Sequence, residues 1–435
     1  MSFKKCFFNT CISLLFFSCS SPLLNDSDVD TTSTSTKPNI LLIIADDMGL
    51  DATPNYSEGT VKPNMPILQG LMNSGITFEN LWSYPVCSPT RASILTGKYG
   101  SKTGVLKVGD VISTSETSLQ KYINDGTSNA YATAIIGKWH LSNSATDPIT
   151  MGVDYYAGLL TGGVQSYTNW NLTENGLTAN TTEYTTTKFT DLAIDWVDKQ
   201  TKPWFLWLAY NAPHTPFHLA PTNLHSQGNL PTDASSIDAN PTPYFMSAIE
   251  AMDSEIGRFI NSMTTEEKAN TIIVFIGDNE SPNQVAQSPY SRNKAKNTIY
   301  QGGVNVPMVV SGLGVIRTGV RENALISTTD LFSTIASMSG VSTFSRENST
   351  SFYSLLKDEN ASSREYAYTE ISNNGIAYAI RNATYKLIKF NNGSEEFYNL
   401  ITDAYENNNL IGTTLTTEAS NAKAALEAEA DRIRN

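Results

Sequence analysis

The stretch KPNILLIIADDMG, residues 37–49, joins a continuous apolar run to two consecutive carboxylates. An uninterrupted apolar run of this length predicts a strand that is buried on both faces, as in a parallel sheet, and Asp46 and Asp47 follow its carboxyl end. Three later stretches repeat this arrangement: AYATAIIGKWH (130–140) with Lys138 and His140, PWFLWLAYNAPHTPFH (203–218) with His214, and NTIIVFIGDNE (270–280) with Asp278 and Asn279. We therefore expect four buried strands that each end in polar, chemically useful groups.

Helical stretches lie between these runs, for example TKFTDLAIDWVDKQ (187–200) and FMSAIEAMDSEIGRFINSM (245–263). In the second stretch, Ile249, Met252 and Phe259 recur at the spacing of one helical face, which predicts packing against the sheet. Buried strands that alternate with amphipathic helices indicate an α/β fold, with a large and mostly parallel sheet between helices. Because ligands of such sheets bind beyond the carboxyl ends of the strands, the four polar endings should meet at one edge.

The character of the sequence changes towards its C-terminal end. Segments such as REYAYTEI (364–371) and EEFYNL (395–400) predict short antiparallel strands, and NNG (391–393) predicts a turn between strands. The tail is rich in strong helix formers and predicts a terminal helix. We therefore divide the folded part into a catalytic domain over residues 37–345 and a small antiparallel C-terminal subdomain with a helix over residues 346–435.

The N-terminal segment is typical of an exported protein. Lys4 and Lys5 precede an apolar run that ends in small residues before Cys19, a pattern that resembles a bacterial lipoprotein signal. The run is too short to span a membrane. We expect a signal peptide over residues 1–18, a lipid on Cys19 and a polar tether over residues 19–36, which predicts an exported bacterial lipoprotein at the outer membrane, at the cell surface or in the periplasm. The alternative is an ordinary signal peptide that is cut a few residues later.

The count of cysteines singles out one of them. Cys6 and Cys11 would leave with the signal peptide, and Cys19 would carry the lipid. Cys87 is then left without a disulfide partner in an oxidising compartment. It is therefore either an inert packed residue or a chemically special one.

Composition excludes some partners. The chain has 435 residues, of which 40% are hydrophobic, and a formal net charge of −13. This length and apolar content suffice for a large core. The acidic balance makes nucleic acid and anionic lipid poor partners, so contact with a membrane is expected only through the lipid anchor. An anionic substrate must then be captured by a local cluster of cations and metal.

Two kinds of group are expected to meet at the strand ends. Asp46, Asp47, Asp278 and Asn279 offer only oxygen ligands, which suit a hard cation such as Ca²⁺ or Mg²⁺ rather than zinc. The positive groups are Arg91, Lys138, His140, His214 and Lys296. Arg91 lies one helical turn after Cys87, so the two share a helix face. Strand alternation should place Lys138 and His140 on one face of their strand. A metal with several cations at one place predicts a pocket for an oxyanion with several oxygens, meaning sulfate or phosphate.

The segment CSPTRASILTG, residues 87–97, resembles the signature of the type I, formylglycine-dependent sulfatases of the alkaline-phosphatase-like superfamily, C-x-P-[S/T]-R with a Leu-Thr-Gly ending. Gln301 and Asn305 depart from the family pattern, which usually has Glu and Arg there. Further segments resemble the family in the same order along the chain: NILLIIADDMG (39–49), GKWH (137–140), NAPHTPF (211–217), GDN (277–279) and KNTIYQGGVNVPMVVSG (296–312). The resemblance implies an alkaline-phosphatase-like fold and, with the N-terminal segment, a polysaccharide-active bacterial lipoprotein sulfatase.

The resemblance also implies a fate for Cys87. A formylglycine-generating maturation enzyme would oxidise it to formylglycine (3-oxoalanine), an aldehyde whose hydrate attacks sulfur while Asp278 takes the proton. The implied ion is Ca²⁺ in preference to Mg²⁺, with ligands Asp46, Asp47, Asp278, Asn279 and residue 87. In the same resemblance, Arg91, Lys138 and Lys296 would offset charge on the sulfuryl oxygens. His214 or Lys296 would be the acid that protonates the leaving alcohol. His140 would be the base that releases sulfate.

The expected activity is hydrolysis of a sulfate ester on a sulfated carbohydrate, such as the algal polysaccharide ulvan, another marine polysaccharide or their oligosaccharides. Two alternatives stay open: a phosphodiesterase or phosphonate monoester hydrolase with the same formylglycine site, and a non-catalytic lipoprotein that binds sulfated glycan in an unmatured pocket. Contacts to the sugar are expected from the polar stretches 155–185 and 217–243, where Tyr167, Trp170 and His218 could stack on sugar rings.

Overall fold

The computed structural model describes residues 37–342, 348–372 and 375–435, which all belong to one compact unit. The predicted signal peptide, the tether and the lipidated Cys19 lie outside the described residues and stay predictions. Within the described ranges, no helix is both long and apolar enough to cross a membrane.

Eleven strands of the described chain form one central sheet. They are β1 (Asn39–Ala45), β2 (Gly75–Trp82), β3 (Ala132–Lys138), β4 (Tyr155–Leu159), β5 (Trp170–Glu174), β6 (Leu177–Thr181), β7 (Trp204–Ala209), β8 (Thr271–Gly277), β9 (Asn305–Gly312), β10 (Val320–Glu322) and β11 (Ile326–Ser327). The order across the sheet is β10-β2-β9-β8-β1-β7-β3-β4-β5-β6, and β11 pairs with β2. The strands β8, β1, β7, β3 and β4 run parallel to one another, whereas β9 is antiparallel to both neighbours. The predicted large and mostly parallel sheet is confirmed.

Strand β1 lies in the middle of this sheet because it is apolar on both faces. Successive side chains of a strand point to opposite faces, so an uninterrupted apolar run is stable only when both faces are covered. Ile40 and Leu42 belong to the hydrophobic cluster on one face, and Leu41 and Ile43 belong to the cluster on the other. The strand is therefore fully buried, as its sequence pattern predicts.

Helices cover the two faces of the sheet. They are α1 (Pro66–Asn73), α2 (Cys87–Thr96), α3 (Gly100–Thr103), α4 (Leu119–Thr127), α5 (Asp147–Thr150), α6 (Thr185–Val197), α7 (Ala234–Ala239), α8 (Thr242–Ser262), α9 (Thr265–Ala269), α10 (Gln301–Val304), α11 (Asp330–Met338) and α12 (Thr417–Arg434). Helices α2, α4 and α11 contribute Ile94, Leu119 and Leu331 to one core cluster. Helices α6 and α8 contribute Phe189 and Ile249 to the other, so the sheet lies between helices as predicted.

The remaining strands form a separate antiparallel sheet, β12 (Ala367–Ser372), β13 (Ile376–Arg381), β14 (Tyr385–Lys389) and β15 (Glu395–Asn399), in chain order. Helix α12 packs Leu426 and Ala430 against Leu387 and Phe397 of this sheet. The predicted small antiparallel sheet with a terminal helix is therefore confirmed.

The segment that leads into this small sheet packs with the main core. Phe352, Leu355 and Leu356 are buried in the cluster under the central sheet. The domain boundary between residues 37–345 and 346–435 stays a prediction.

A buried ion pair between Arg364 and Asp330 connects the segment before the small sheet to helix α11. Arg364 donates from Nε to Oδ2 of Asp330 at 2.6 Å, and its Nη2 contacts the other oxygen. The Asp330 carboxylate also accepts from the backbone amides of Ser327 and Thr350 at 2.8 and 2.7 Å. Asp330 is 1% exposed, so it depends on these partners rather than on water.

Replacing Arg364 by methionine should therefore destabilise the protein. A buried carboxylate that loses its counter-charge costs about 3–5 kcal/mol, so Arg364→Met should lower the free energy of unfolding by about 3 kcal/mol in urea denaturation. Arg292→Met, at an exposed arginine, is the matched control and should change it by less than about 0.5 kcal/mol. Equal losses in the two variants would contradict the role given to the ion pair.

Candidate active site

The carboxyl ends of four neighbouring parallel strands meet at one edge of the central sheet, in the order β8, β1, β7 and β3. This convergence was expected from the alternation of strands and helices. The polar residues at these ends are Asp278 and Asn279 after β8, Asp46 and Asp47 after β1, His214 after β7, and Lys138 and His140 at the end of β3.

A group of potential metal ligands lies at this edge. Asp46, Asp47, Cys87 and His214 each offer one ligand atom, and these atoms lie within 4.8 Å of one another. Asn279 donates from Nδ2 to Oδ1 of Asp47 at 2.6 Å, while its own buried Oδ1 has no hydrogen-bond partner among the described residues. A buried amide oxygen without a donor, next to two carboxylates, is the kind of group that a hard cation binds. The residues present therefore fit Ca²⁺ or Mg²⁺.

Asp278 joins this group through hydrogen bonds. Its Oδ1 accepts from the backbone amide of Asp47 at 3.1 Å, and its Oδ2 accepts from Nη2 and Nε of Arg91 at 2.8 and 3.2 Å. Burial and the neighbouring charge of Asp46 raise its pKa to about 6. The structure thus brings together all five predicted ligands and adds His214, which the sequence suggested only as an acid.

Helix α2 positions residue 87 and Arg91. The helix begins at Cys87 and ends before Gly97, whose φ of 68° is the left-handed conformation that favours glycine. Pro89 is tolerated because it falls in the first turn, where backbone amides lack helical partners. Arg91 lies one turn after Cys87 and faces the carboxylates, and its Nη1 donates to the carbonyl oxygen of Lys138 at 2.8 Å. The spacing within the signature therefore places both groups at the site.

Two lysines oppose the two carboxylates that follow β1. Nζ of Lys138 lies 2.6 Å from Oδ2 of Asp46, and both side chains are buried. Nζ of Lys296 contacts both carboxylate oxygens of Asp47. Burial opposes both lysine charges, but the carboxylates outweigh it and raise the pKa of each lysine. Burial likewise opposes the charge of Asp46, but nearby cations, Lys138 above all, hold its pKa well below the usual range.

His140 is held beside Lys138 by an unusual backbone. Strand β3 ends at Lys138, and His140 has a φ of 55°, with its amide donating to the carbonyl oxygen of Leu160 at 3.0 Å. The strand alternation expected between Lys138 and His140 is therefore wrong, because the chain has already turned. Burial and the charges of Lys138 and Arg91 lower the pKa of His140 to about 2, so the ring is neutral. Its Nδ1 is buried without a hydrogen-bond partner in the described part of the chain.

His214 lies nearer to solvent. Its side chain is 20% exposed, and its Nδ1 donates to the carbonyl oxygen of Thr215 at 2.8 Å. Its Nε2 faces Oδ2 of Asp47 at 3.7 Å. A cavity of about 280 Å³, lined by Asp47, Thr215 and Lys296, opens at this side of the site. His214 is therefore at the border between the carboxylates and the space that a substrate can enter.

Cys87 is surrounded by polar groups rather than by the core. It is 1% exposed, its thiol donates to Oδ1 of Asp46 at 3.5 Å, and it belongs to none of the hydrophobic clusters. It is the only cysteine of the described ranges, so no disulfide forms within them. Burial raises the pKa of the thiol, so the unmodified residue is protonated. These surroundings favour a chemically special residue over an inert one.

Sequence reasoning missed the segment that borders the two histidines. A Cβ atom added to Gly162 would lie 2.5 Å from Nε2 of His140, and one added to Gly163 would lie 3.2 Å from Cε1 of His214. The backbone of residues 161–163 therefore lies directly against both imidazoles. The only signal in the sequence is a Gly-Gly pair, which is also typical of an ordinary turn.

The aromatic residues suggested as sugar contacts pack within the protein. Tyr167 is 2% exposed and donates to the carbonyl oxygen of His214 at 2.6 Å. Trp170 is 4% exposed and packs edge-on against Phe189, and His218 stacks on Tyr167 with ring centroids 3.8 Å apart. The polar stretch 155–185, which was expected to contact the sugar, contains the strands β4, β5 and β6. The suggested stacking role is therefore wrong for the buried Tyr167, whereas Trp170 lines a neighbouring cavity and its suggested role stays a prediction.

The two departures from the family pattern make structural contacts. Gln301 accepts from Nε1 of Trp82 at 2.9 Å, and Asn305 donates from Nδ2 to the carbonyl oxygen of Glu79 at 2.9 Å. Neither side chain hydrogen-bonds to the carboxylates or cations of the site. The departures therefore leave the core of the site intact.

A pocket of this kind binds a tetrahedral oxyanion next to a divalent cation, which is typical of metal-dependent hydrolases of sulfuric and phosphoric esters. Residues 38–341 match the sulfatase family model, and residues 293–434 match the model described as N-sulphoglucosamine sulphohydrolase, C-terminal. The chain belongs to the sulfatase family.

Its relatives include proteins with and without a known substrate. The uncharacterized sulfatase YdeN of Escherichia coli (strain K12) is 27% identical over 372 residues, 71% of this chain and 64% of that protein. The ulvan-active sulfatase of Formosa agariphila is 26% identical over 405 residues, 87% of this chain and 78% of that protein. The crystal structure of Ps i-CgsB in complex with k-i-k-neocarrahexaose has the same fold, with a TM-score of 0.78, 24% identity and coverage of 91% and 92%.

The contact between Gly162 and His140 leads to a prediction. Gly162→Ala should lower kcat/KM by about 10²-fold, because its methyl group would displace the imidazole and misplacement of a reacting group by about 1 Å costs that much. The melting temperature should change little, since the segment is at the surface of the site. The matched control is Gly70→Ala in helix α1, where a Cβ meets no atom within 4 Å. Unchanged activity in the Gly162 variant would contradict the tight contact.

Proposed function

We propose that this chain hydrolyses a sulfate ester on a sulfated carbohydrate. The observation that carries the proposal is the position of Cys87, which opens the helix of the signature and lies 3.5 Å from Asp46, amid carboxylates and buried cations. Membership of the sulfatase family supports this chemistry. The chain spans only 64% of the length of the E. coli relative. The substrate is therefore proposed from the residues of this site and tested by the experiment below.

The nucleophile is proposed to come from residue 87 after maturation. The C-x-P-x-R context supports conversion of Cys87 by a formylglycine-generating enzyme. Formylglycine is an aldehyde, and its hydrate supplies a hydroxyl group for attack on sulfur and a second hydroxyl whose deprotonation expels sulfate. The protein contributes a site in which that group is buried and oriented by the first turn of α2.

The proposed metal is Ca²⁺, with Mg²⁺ less favoured. Asp46, Asp47, Asp278, Asn279 and residue 87 would hold it, and the free Oδ1 of Asn279 supports this set. When bound, the ion supplies a Lewis acid that polarises sulfate oxygens and lowers the pKa of a coordinated hydroxyl. A set drawn from carboxylates, an amide and residue 87 suits the irregular coordination of Ca²⁺ better than the strict octahedron of Mg²⁺.

The chain's cations would hold the sulfate group and offset its developing charge. Lys138 and Arg91 are buried and fixed by Asp46 and Asp278, so they are already oriented before substrate arrives. Preorganised positive groups in a site without water stabilise a transition state far more than the same groups in solution. Lys296 adds a third positive charge at the side of Asp47.

The histidines would move the protons. Nδ1 of His140 is buried without a hydrogen-bond partner among the described residues, and it is the proposed acceptor of the proton whose removal expels sulfate. His214 is at the solvent side of the site, beside Lys296 and the 280 Å³ cavity, where a leaving alcohol would depart. Either His214 or Lys296 can donate the proton that the leaving alcohol needs.

The proposed substrate class is an algal or other marine polysaccharide, such as ulvan, or its oligosaccharides. The support is the ulvan-active sulfatase of Formosa agariphila, which is 26% identical over a region that covers 87% of this chain.

Export as a lipoprotein, with a lipid on Cys19, would place the enzyme where such polymers are met. Replacing Cys19 by serine should then move the protein from the membrane fraction to the soluble fraction, and an unchanged distribution would contradict the anchor.

The function is tested by measuring free sulfate released from ulvan, carrageenan and glucosamine-sulfate oligosaccharides. The protein is produced in a host that makes formylglycine, peptide mass establishes the aldehyde at residue 87, and the metal content is measured in the same preparation. Release from one of these sugars is expected. No release with the aldehyde present, together with turnover of a phosphate diester, would favour the phosphodiesterase alternative. An unmodified thiol with sugar binding but no turnover would favour the non-catalytic alternative.

A further inference from the structure

A large cavity adjoins the site on the far side of residues 161–163. It has a volume of about 590 Å³ and is formed by the hairpin β5–β6 and the segment that leads into it. Thr161 and Gly163 line this cavity, and Gly163 is the residue whose Cβ would lie 3.2 Å from His214. Gly163 therefore borders both this cavity and the imidazole of His214.

The cavity has no charged side chain in its lining, which combines amides and hydroxyls with the apolar residues Leu159, Leu160, Val164 and Trp170. None of its lining residues is an Asp, Glu, Lys or Arg, although the chain as a whole is strongly acidic. The side chains of Asn143, Gln165 and Asn171 have no hydrogen-bond partners among the described residues, and Asn180 uses only its Nδ2 group, on Asn169 and Trp170. The amides that line it are Asn143, Gln165, Asn169, Asn171 and Asn180. Each free amide offers both donors and an acceptor, which is what a pair of sugar hydroxyls requires.

We propose that this cavity binds an uncharged sugar unit that neighbours the sulfated unit in the substrate. A charged neighbour, such as a second sulfated sugar or a uronic acid, would call for Arg or Lys, which form the strong hydrogen bonds to sulfate and carboxylate. The inference deepens the proposed function and rests on it. It names the amides that line the cavity, Asn171 and Asn180 of the β5–β6 hairpin among them, as groups that select the sugar.

Another cavity, which Thr215 lines, differs in charge from the first. This second cavity of about 540 Å³ is lined by Arg292 and Asp238, and it shares Thr215 with the small cavity that contains Asp47. The two cavities therefore differ, because charged side chains line the second cavity but not the first.

Binding of uncharged sugars to an inactive protein tests the proposal. The full chain with Cys87→Ala is mixed with neoagarohexaose, xylohexaose or cellohexaose, and Kd is measured by saturation-transfer NMR. At least one probe is expected to bind. Adding Asn171→Ala and Asn180→Ala together should raise its Kd at least about five-fold, since each amide that loses its sugar hydroxyl weakens binding.

The matched control is the pair Asn407→Ala and Asn408→Ala, two exposed asparagines of the C-terminal part whose side chains form no hydrogen bonds within the described chain. This pair should leave Kd unchanged. Binding of none of the three probes, or an equal effect of the two double variants, would overturn the proposal. The assay involves no turnover, so its result is independent of whether the wild-type protein releases sulfate.

Discussion

Cys87→Ala is expected to abolish sulfate release, with kcat lowered by at least about 10⁴-fold, the scale of losing a nucleophile that acts together with its neighbours. Cys87 is the only cysteine of the described residues, so no second thiol among them can be converted to the aldehyde in its place. The change removes one sulfur atom from a buried position and adds no group that must be accommodated. The melting temperature should therefore stay close to that of the wild type, which thermal unfolding measures beside the rate.

Ser88→Ala is the control that matches this variant. Ser88 is the next residue of the same helix, and its buried hydroxyl has no hydrogen-bond partner among the described residues. Its removal leaves the C-x-P-x-R context intact, so both maturation and stability should be preserved. A Cys87→Ala protein that keeps more than a tenth of the wild-type rate would contradict residue 87 as the nucleophile.

Lys138→Met should lower kcat by about 10²–10³-fold, as expected when one preorganised positive group is removed from a buried site. The ammonium group lies 2.6 Å from Asp46 and is fully buried, so water cannot take its place. Methionine has similar length and fills the same space, so no cavity opens, but Asp46 loses a buried counter-charge and thermal unfolding is therefore measured beside the rate. The rate of sulfate release at saturating substrate measures this effect, because a group that acts mainly in the transition state changes kcat more than KM.

Lys107→Met provides the comparison for this variant, since Lys107 is exposed and its side chain forms no ion pair within the described residues. It should keep the wild-type rate. A Lys138→Met protein with a wild-type kcat would exclude Lys138 from the charge stabilisation described above. A loss confined to KM would restrict Lys138 to substrate binding.

Much of this site could be predicted because its residues follow buried strands. The apolar run before Asp46 and Asp47 predicts a strand covered on both faces, and the same holds before Asp278. The parallel arrangement then requires the carboxyl ends to share an edge. Cys87 and Arg91 were predicted together because four residues make one helical turn. These inferences use only periodicity and sheet geometry, which short stretches of sequence already contain.

Other features of the site could not be predicted. The turn at His140 depends on a hydrogen bond to Leu160, and the contacts of Gly162 depend on where a separate strand leaves the sheet. Tyr167 has the composition of a sugar contact, but its hydroxyl group is used inside the protein. In each case the decisive partner is distant in sequence, and no local pattern identifies it.

The sequence by itself determined the α/β fold, the strand ends that carry carboxylates and cations, and the helix that presents residue 87, because each follows from the period of apolar residues or the spacing of a short motif. Only the tertiary structure decided which carboxylate faces which cation, that residues 161–163 lie against both histidines, and that an uncharged cavity adjoins the site. Those features arise from contacts between segments far apart in the chain, whose geometry is fixed by packing around the whole sheet.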